Sequence, residues 1–228
     1  VRIHDGRRSD EEFTLPTHGF SLETHKTAMK DFFDEDEIRA VYYPETERLI
    51  KAKSGAARVL VFDHTLRTAE KSRLAERWIR TAVHSVHNDY TERSAPQRVR
   101  DFLPADEAEA ALQRRFAIIQ TWRSIAPMVE SEPLALIDGS TIPEIGFIAY
   151  QRRYRDRTGE TYHIAYSPAH RWFYFPRMTR DEAFVFKVFD TDRTAGVRFT
   201  AHSAFNDPNT PPDAKIRESI EMRALVFY

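Results

Sequence analysis

His87 and Asp89, separated only by Asn88, are the residues whose types and spacing are most informative about chemistry. In an extended segment, side chains two positions apart point to the same side, so this imidazole and this carboxylate could bind one metal ion. The same pair is also common as a surface or capping motif, and its spacing alone does not decide between the two roles. The chain contains no cysteine, so any metal must be held by nitrogen and oxygen ligands.

A third ligand must come from a distant histidine, and the second half of the chain offers His163, His170 and His202. We favour His202 because Arg217 and Ser219 follow it. Two positions apart on one strand face, a guanidinium fork and a hydroxyl can together grip a carboxylate. Two histidines and one carboxylate leave open metal positions for a cosubstrate and O₂, an arrangement typical of non-haem Fe(II) oxygenases. The combined pattern predicts an enzyme that uses 2-oxoglutarate.

The elements that must position these residues are mainly strands. Residues 58–64 form an apolar, β-branched run, and a helix is predicted over 104–115, where proline and acids begin the segment and arginines end it. Leu74, Trp78 and Ile79 have the spacing of a short helix within 71–82. Further strands separated by turn residues are predicted over 116–123, 147–150, 162–166, 172–175, 183–189, 197–204 and 219–227. This succession predicts an α+β, mainly β fold whose core is a sandwich or jelly roll with flanking helices.

The last predicted strand has two distinct faces. Ile220, Met222 and Ala224 share the apolar one. The opposite face is polar and carries Arg217, Ser219, Glu221 and Arg223. Such a row either faces water, which the alternation by itself favours, or lines a cavity that holds a ligand, which the 2-oxoglutarate hypothesis predicts.

Several blocks of the chain, in this order, resemble one known family. They are VHNDYT (86–91), IQTWR (119–123), PLALID (133–138), WFYFPRM (172–178), FKVFD (186–190), AHSAF (201–205) and RESIEMR (217–223). The family is the Fe(II)/2-oxoglutarate hydroxylase/desaturase group, which includes the cephamycin C-7 hydroxylase component, gibberellin desaturase-like proteins and the fungal meroterpenoid endoperoxide-forming enzyme. The resemblance covers about residues 58–228.

The resemblance implies a double-stranded β-helix, or jelly roll, that uses Fe(II), 2-oxoglutarate and O₂, with ascorbate as a reductant. It implies that His87, Asp89 and His202 are the iron ligands and that Arg217 faces the C5 carboxylate of 2-oxoglutarate. The substrate would be a small, natural-product-like molecule that is hydroxylated or desaturated, with release of succinate and CO₂.

Other polar residues near these blocks have two open interpretations each. Arg123 either reaches the pocket, where it would bind a carboxylate, or forms a structural ion pair, for example with Asp138. Gln120 has the same two interpretations, a cofactor-binding or a structural role. The carboxylate of 2-oxoglutarate is thus assigned to Arg217, with Arg223 and Arg123 as alternatives.

Composition limits the other classes of function. With 34 Lys and Arg against 35 Asp and Glu, the net charge is −1, so the general attraction on which non-specific nucleic-acid binding depends is missing. No apolar run approaches the ~20 residues of a membrane span, and no secretory signal or disulfide is indicated, so we expect a cytoplasmic protein without nucleic-acid or membrane partners. The length of 228 residues predicts a single domain over 1–228, in which residues 1–55 form an N-terminal extension packed on the core. A homodimer is compatible with the sequence.

Two other classes of protein would carry similar patterns. A cupin-like metal-dependent hydrolase or isomerase would use the same three ligands without a 2-oxo acid. A metal-free β-sandwich binding module would instead use the aromatic residues, which make up 12% of the chain, as a binding platform. Metal binding together with 2-oxoglutarate turnover separates the three hypotheses.

Overall fold

A computed structural model describes residues 1–73, 79–153 and 158–228. The strands of these described residues are β1 (Ile3–Asp5), β2 (Phe20–Thr24), β3 (Arg58–Thr68), β4 (Ile79–Arg80), β5 (His87–Asn88), β6 (Phe116–Ser124), β7 (Leu134–Ile137), β8 (Phe147–Arg153), β9 (Thr158–Ile164), β10 (Trp172–Tyr174), β11 (Glu182–Asp190), β12 (His202–Ala204) and β13 (Glu218–Phe227). The α-helices are α1 (Glu35–Glu37), α2 (Tyr43–Ser54), α3 (Ser94–Phe102) and α4 (Ala105–Leu112), and a π-helical turn (Ile38–Tyr42) joins the first two. Short 3₁₀ turns are formed by Gly6–Arg8, Gly139–Thr141 and Glu144–Gly146.

The described strands form two sheets. The first has the order β1-β10-β7-β12-β5-β9-β8, and the second has the order β2-β11-β6-β13-β3-β4. Pairing is antiparallel except for β1 with β10 and β3 with β4. The longest strand pairings join β13 to β3 and to β6 in the second sheet. Apart from β8 and β9, the first sheet consists of strands of two to four residues.

The second sheet separates two apolar clusters because its strands alternate between two faces. One face of β6, with Ile118 and Trp122, packs against residues of the first sheet such as Leu136. The other face, with Ile119 of β6 and Met222 of β13, packs against the helical segment that contains α1 and α2. The core is therefore a layer between the sheets and a second layer beneath the N-terminal helices.

The first 55 residues contribute to both sheets as well as to the helical layer. Strand β1 pairs with β10 in the first sheet, and β2 pairs with β11 in the second. These pairings connect residues far apart in sequence. That residues 1–228 form a single domain stays a prediction.

Most predicted strands are present, and β6 begins at the expected residue. The predicted strand over 197–204 is wrong in its first half, because regular pairing starts only at His202. The amide of Val197 instead donates to the carbonyl of Pro16 at 2.8 Å, and that of Thr200 donates to Lys187 at 2.9 Å. Of the short helix predicted within 71–82, Leu74 and Trp78 lie outside the described residues, and Ile79 lies in β4.

Among the helices of the described ranges, none is long and apolar enough to cross a membrane.

Candidate functional site

The two distant histidines meet because β5 and β12 are neighbouring antiparallel strands. His87 is the residue directly opposite His202 in this pair, and Asp89 follows β5 immediately. The ring centroids of the two histidines are 4.4 Å apart. One potential ligand atom from each of His87, Asp89 and His202 lies within 4.8 Å of the other two. The structure thus brings together the three side chains that the sequence singled out.

Both imidazoles are arranged to offer a lone pair. Nδ1 of His87 lies 2.7 Å from the carbonyl oxygen of Ser85, which assigns the ring proton to Nδ1 and leaves Nε2 free to bind. His202 is only 3% exposed, and burial, followed by the neighbouring His87, lowers its pKa well below the usual value. Within the described residues, Nδ1 of His202 has no hydrogen-bond partner. Both rings are consequently suited to be neutral ligands.

The two oxygens of Asp89 have different surroundings. Oδ2 accepts hydrogen bonds from Nε2 of Gln120 at 2.6 Å and from Nε of Arg223 at 3.0 Å. Oδ1 faces Nε2 of His87 at 3.5 Å. Burial alone would raise the pKa of Asp89, but the Arg223 guanidinium and the two histidines lower it well below its usual range, so the group is a carboxylate. One oxygen is fixed by the second sheet, and the other remains for a metal ion.

This donor set fits Fe(II). Two imidazole nitrogens and one carboxylate oxygen on one side of an ion leave its other positions open. The hydrogen bonds behind His87 and Asp89 are of the kind that orients ligands in metal sites.

Arg223 is fully engaged in holding this arrangement. Besides Asp89, its guanidinium donates to Thr65 at 2.9 Å and to Asp63 at 3.2 Å, and it also contacts Glu221. Its charge is thus neutralised by surrounding carboxylates. Arg223 is therefore unsuited to receive a further anion.

Arg217 and Ser219 are in the opposite situation. Arg217 is 4% exposed; its Nη1 donates to the carbonyl of Glu132 at 2.8 Å, and its guanidinium lies 5.6 Å from the Trp122 ring centre. Within the described ranges it forms no salt bridge, and burial lowers its pKa to about 10. The buried hydroxyl of Ser219 has no hydrogen-bond partner among the described residues. A buried cation without a salt bridge and a buried hydroxyl without a hydrogen-bond partner suit an incoming carboxylate.

The polar face of the last strand is buried, whereas its alternation alone favoured exposure to water. Arg217, Ser219, Glu221 and Arg223 are all 9% exposed or less. Arg223 also borders a cavity of about 1090 Å³ that includes His87 and Asp89 in its wall. The cavity therefore reaches the three candidate ligands.

Gln120 and Arg123 do not share a role, because they lie on opposite faces of β6. Gln120 points to the site, where it bonds Asp89. Arg123 points beneath the helices and donates to the carbonyls of His25 at 2.9 Å and Arg180 at 3.3 Å. Its predicted access to the pocket and its alternative ion pair with Asp138 are both wrong, since the side chain is fully buried on the other side of the sheet.

Other histidines, including the candidates His163 and His170, lie outside the group of three. His163 is opposite His87 on β9, but its ring packs against Tyr150 with centroids 4.5 Å apart. Nε2 of His84 lies 2.7 Å from a carboxylate oxygen of Glu132 at the surface. His170 lies in the segment between β9 and β10. Of the three distant histidines, His202 is the one that lies together with His87 and Asp89 in the described residues.

Comparison with known proteins gives consistent results. The oxidoreductase/YMDC permease-like domain family matches residues 1–227. The hydroxylase/desaturase efuI of Hormonema carpetanum is 31% identical over all of this chain and 83% of its own length, and the alpha-ketoglutarate-dependent dioxygenase tstK of Talaromyces stipitatus is 31% identical over all of this chain and 84% of its own.

A solved structure of the iron and alpha-ketoglutarate-dependent endoperoxidase NvfI superimposes with a TM-score of 0.89 at 30% identity. The match covers all of this chain and 83% of the NvfI chain. A relative with the same name, from Aspergillus novofumigatus, is a Fe(II)/2-oxoglutarate-dependent dioxygenase that is 31% identical over all of this chain and 82% of its own length. The predicted mainly β jelly roll is confirmed.

Proposed function

The chain belongs to the family of Fe(II)- and 2-oxoglutarate-dependent oxygenases, and on that premise we propose which of its residues hold the iron and the cosubstrate. The enzyme is a dioxygenase related to hydroxylases and desaturases, and its substrate is a small molecule. This assignment favours the oxygenase over the cupin-like hydrolase and the binding module. In the proposed reaction, a natural-product-like molecule is hydroxylated or desaturated.

His87, Asp89 and His202 are the proposed iron ligands. The observation that carries this proposal is their mutual approach to within 4.8 Å, in a donor set that the family's metal requires. When bound, Fe(II) with 2-oxoglutarate and O₂ supplies the oxidation, and succinate and CO₂ are the products. The residues of this chain bind, orient and shield the reacting groups.

Gln120 and Arg223 are proposed to orient Asp89. Their two hydrogen bonds to Oδ2 favour ligation through Oδ1 alone, which keeps a further metal position open. The carbonyl of Ser85 has the corresponding function for His87, because it fixes the ring proton on Nδ1.

Arg217 and Ser219 are proposed to bind the C5 carboxylate of 2-oxoglutarate. Arg217 is buried and without a salt bridge in the described chain, whereas Arg223 is already neutralised and Arg123 lies on the wrong face of the sheet. The adjoining cavity is the proposed site of the organic substrate.

The proposal is tested by 2-oxoglutarate-dependent CO₂ release in the presence of Fe(II) and ascorbate. Asp89→Ala is expected to lose this release while the far-UV spectrum stays native. Asp63→Asn is the matched control, because Asp63 also contacts Arg223 but lies outside the ligand group, and it is expected to stay active. Full activity of Asp89→Ala would refute the ligand assignment.

A further inference from the structure

The cavity beside the proposed iron site has an aromatic wall. Phe62, Tyr90 and Phe102 line it together with His87 and Asp89. The Phe62 ring lies 4.8 Å from that of Phe102 and 6.4 Å from that of Tyr90. Such a wall favours a flat or apolar substrate body.

Charge in the same cavity is unevenly distributed. Its described lining contains five arginines and three carboxylates, namely Arg67, Arg80, Arg93, Arg98 and Arg223 against Asp63, Asp89 and Glu160. Carboxylates already accompany three of these arginines: Arg93 pairs with Glu160 at 2.6 Å, Arg98 with Asp101 at 2.8 Å, and Arg223 with Asp89 at 3.0 Å. Positive charge remains in excess in the described part of the wall.

Arg67 and Arg80 account for this excess. Neither forms a salt bridge to a carboxylate of the described residues, and Arg67 donates only to the carbonyl of Thr81, at 3.0 Å. The two are directly opposite each other on the parallel strands β3 and β4, and both line the cavity. Like charges at opposed positions of a sheet repel each other, and an anion bound between them would relieve that repulsion.

Resting on the function proposed above, we propose that the organic substrate carries an anionic group, such as a carboxylate, which Arg67 and Arg80 bind. The apolar body of the substrate then lies along Phe62 and Phe102, next to the iron ligands. Arg67 is also opposite Ser219, in the proposed cosubstrate site. A carboxylate of 2-oxoglutarate is therefore the other source of the same chemistry, and the experiment distinguishes the two.

The test compares a flat aromatic acid with its neutral amide. Binding of 2-naphthoate and 2-naphthamide is measured by calorimetry on the full chain, with and without saturating Mn(II) and the 2-oxoglutarate analogue N-oxalylglycine. The acid is expected to bind about 10-fold more tightly than the amide, as one charge-assisted hydrogen bond would produce, also when the analogue is present. Arg80→Gln should abolish this preference, and Arg80→Lys should retain part of it.

Arg93→Gln is the matched control, because Arg93 lines the same cavity but is paired with Glu160. It should leave the preference for the acid unchanged. Equal binding of acid and amide, including no measurable binding of either, overturns the proposal. It is also overturned if Arg80→Gln and Arg93→Gln lose the preference for the acid to the same extent. Displacement of the acid by N-oxalylglycine would assign the two arginines to the cosubstrate. Failure of Mn(II) and N-oxalylglycine to bind would instead contradict the function proposed for the iron site.

Discussion

Replacement of Arg217 by methionine tests how this chain recognises 2-oxoglutarate. Methionine keeps much of the side chain's volume within the buried site but removes the guanidinium. Arg217 is 4% exposed, and no salt bridge of the described residues depends on it, so the variant should fold. The substitution should therefore weaken mainly the binding of the incoming carboxylate.

The expected magnitude follows from the burial of this charge. Lowering of the Arg217 pKa to about 10 corresponds to roughly 3 kcal/mol of unfavourable free energy for the charged form, and burial is its main cause. A carboxylate that pairs with it offsets this cost, and a hydrogen bond to a charged group contributes about 1.5–3 kcal/mol net. Arg217→Met should therefore raise the Kd of 2-oxoglutarate by roughly 10- to 150-fold.

The assay is calorimetric titration of 2-oxoglutarate into the Mn(II)-loaded chain, which needs no knowledge of the organic substrate. Metal affinity, measured separately, should be the same in the variant, because Arg217 is not among the three proposed ligands. Arg217→Lys should show an intermediate Kd, since it keeps the charge without the fork. An unchanged Kd in Arg217→Met would refute the reasoning that a buried, unpaired guanidinium marks the carboxylate site.

Three smaller effects are also expected. Ser219→Ala should weaken 2-oxoglutarate binding by roughly 2- to 10-fold in the same titration, and equal Kd values would exclude its hydroxyl from the site. Gln120→Met, which removes one of two donors to Asp89, should weaken Co(II) binding by roughly 10-fold, while unaltered affinity would show that this donor does not orient the ligand. Burial, followed by Arg123, lowers the pKa of His25 in the folded chain below the usual 6.5, so folding favours the neutral ring. Its contribution to the free energy of unfolding is thus present above pH 6.5 and declines below it. In urea unfolding, the stability of His25→Asn should decline less steeply below pH 6.5 than that of the wild type. A decline in the variant as steep as in the wild type would show that His25 does not cause it.

Local alternation predicted the site better than it predicted the pairing of strands. It placed His87 and Asp89 on one side and separated Ser219 and Arg223 from the apolar face of β13, because a two-residue period depends only on neighbouring residues. The same period separates Gln120 from Arg123 once both lie in one strand, since they are an odd number of positions apart.

Long-range contacts could not be predicted in this way. The amide of Val197 donates to Pro16 and that of Thr200 donates to Lys187, and no local pattern indicates these partners. The same holds for β1 and β2, whose partners lie more than a hundred residues further along the chain. Arg223 was placed on the correct face, but its contact with Asp89 depends on how the two sheets pack.

Metal titration of three forms of the chain tests the central claim most directly. Wild type and His163→Ala are expected to bind one Co(II) per chain with similar affinity, because His163 lies in the same row of the sheet but outside the ligand group. His202→Ala should bind Co(II) at least 100-fold more weakly. Replacing residues that only orient metal ligands already weakens binding by about 10- to 100-fold, and loss of a ligand itself should cost no less. Wild-type affinity in His202→Ala, or its loss in His163→Ala, would contradict the assignment of His87, Asp89 and His202 as one metal centre.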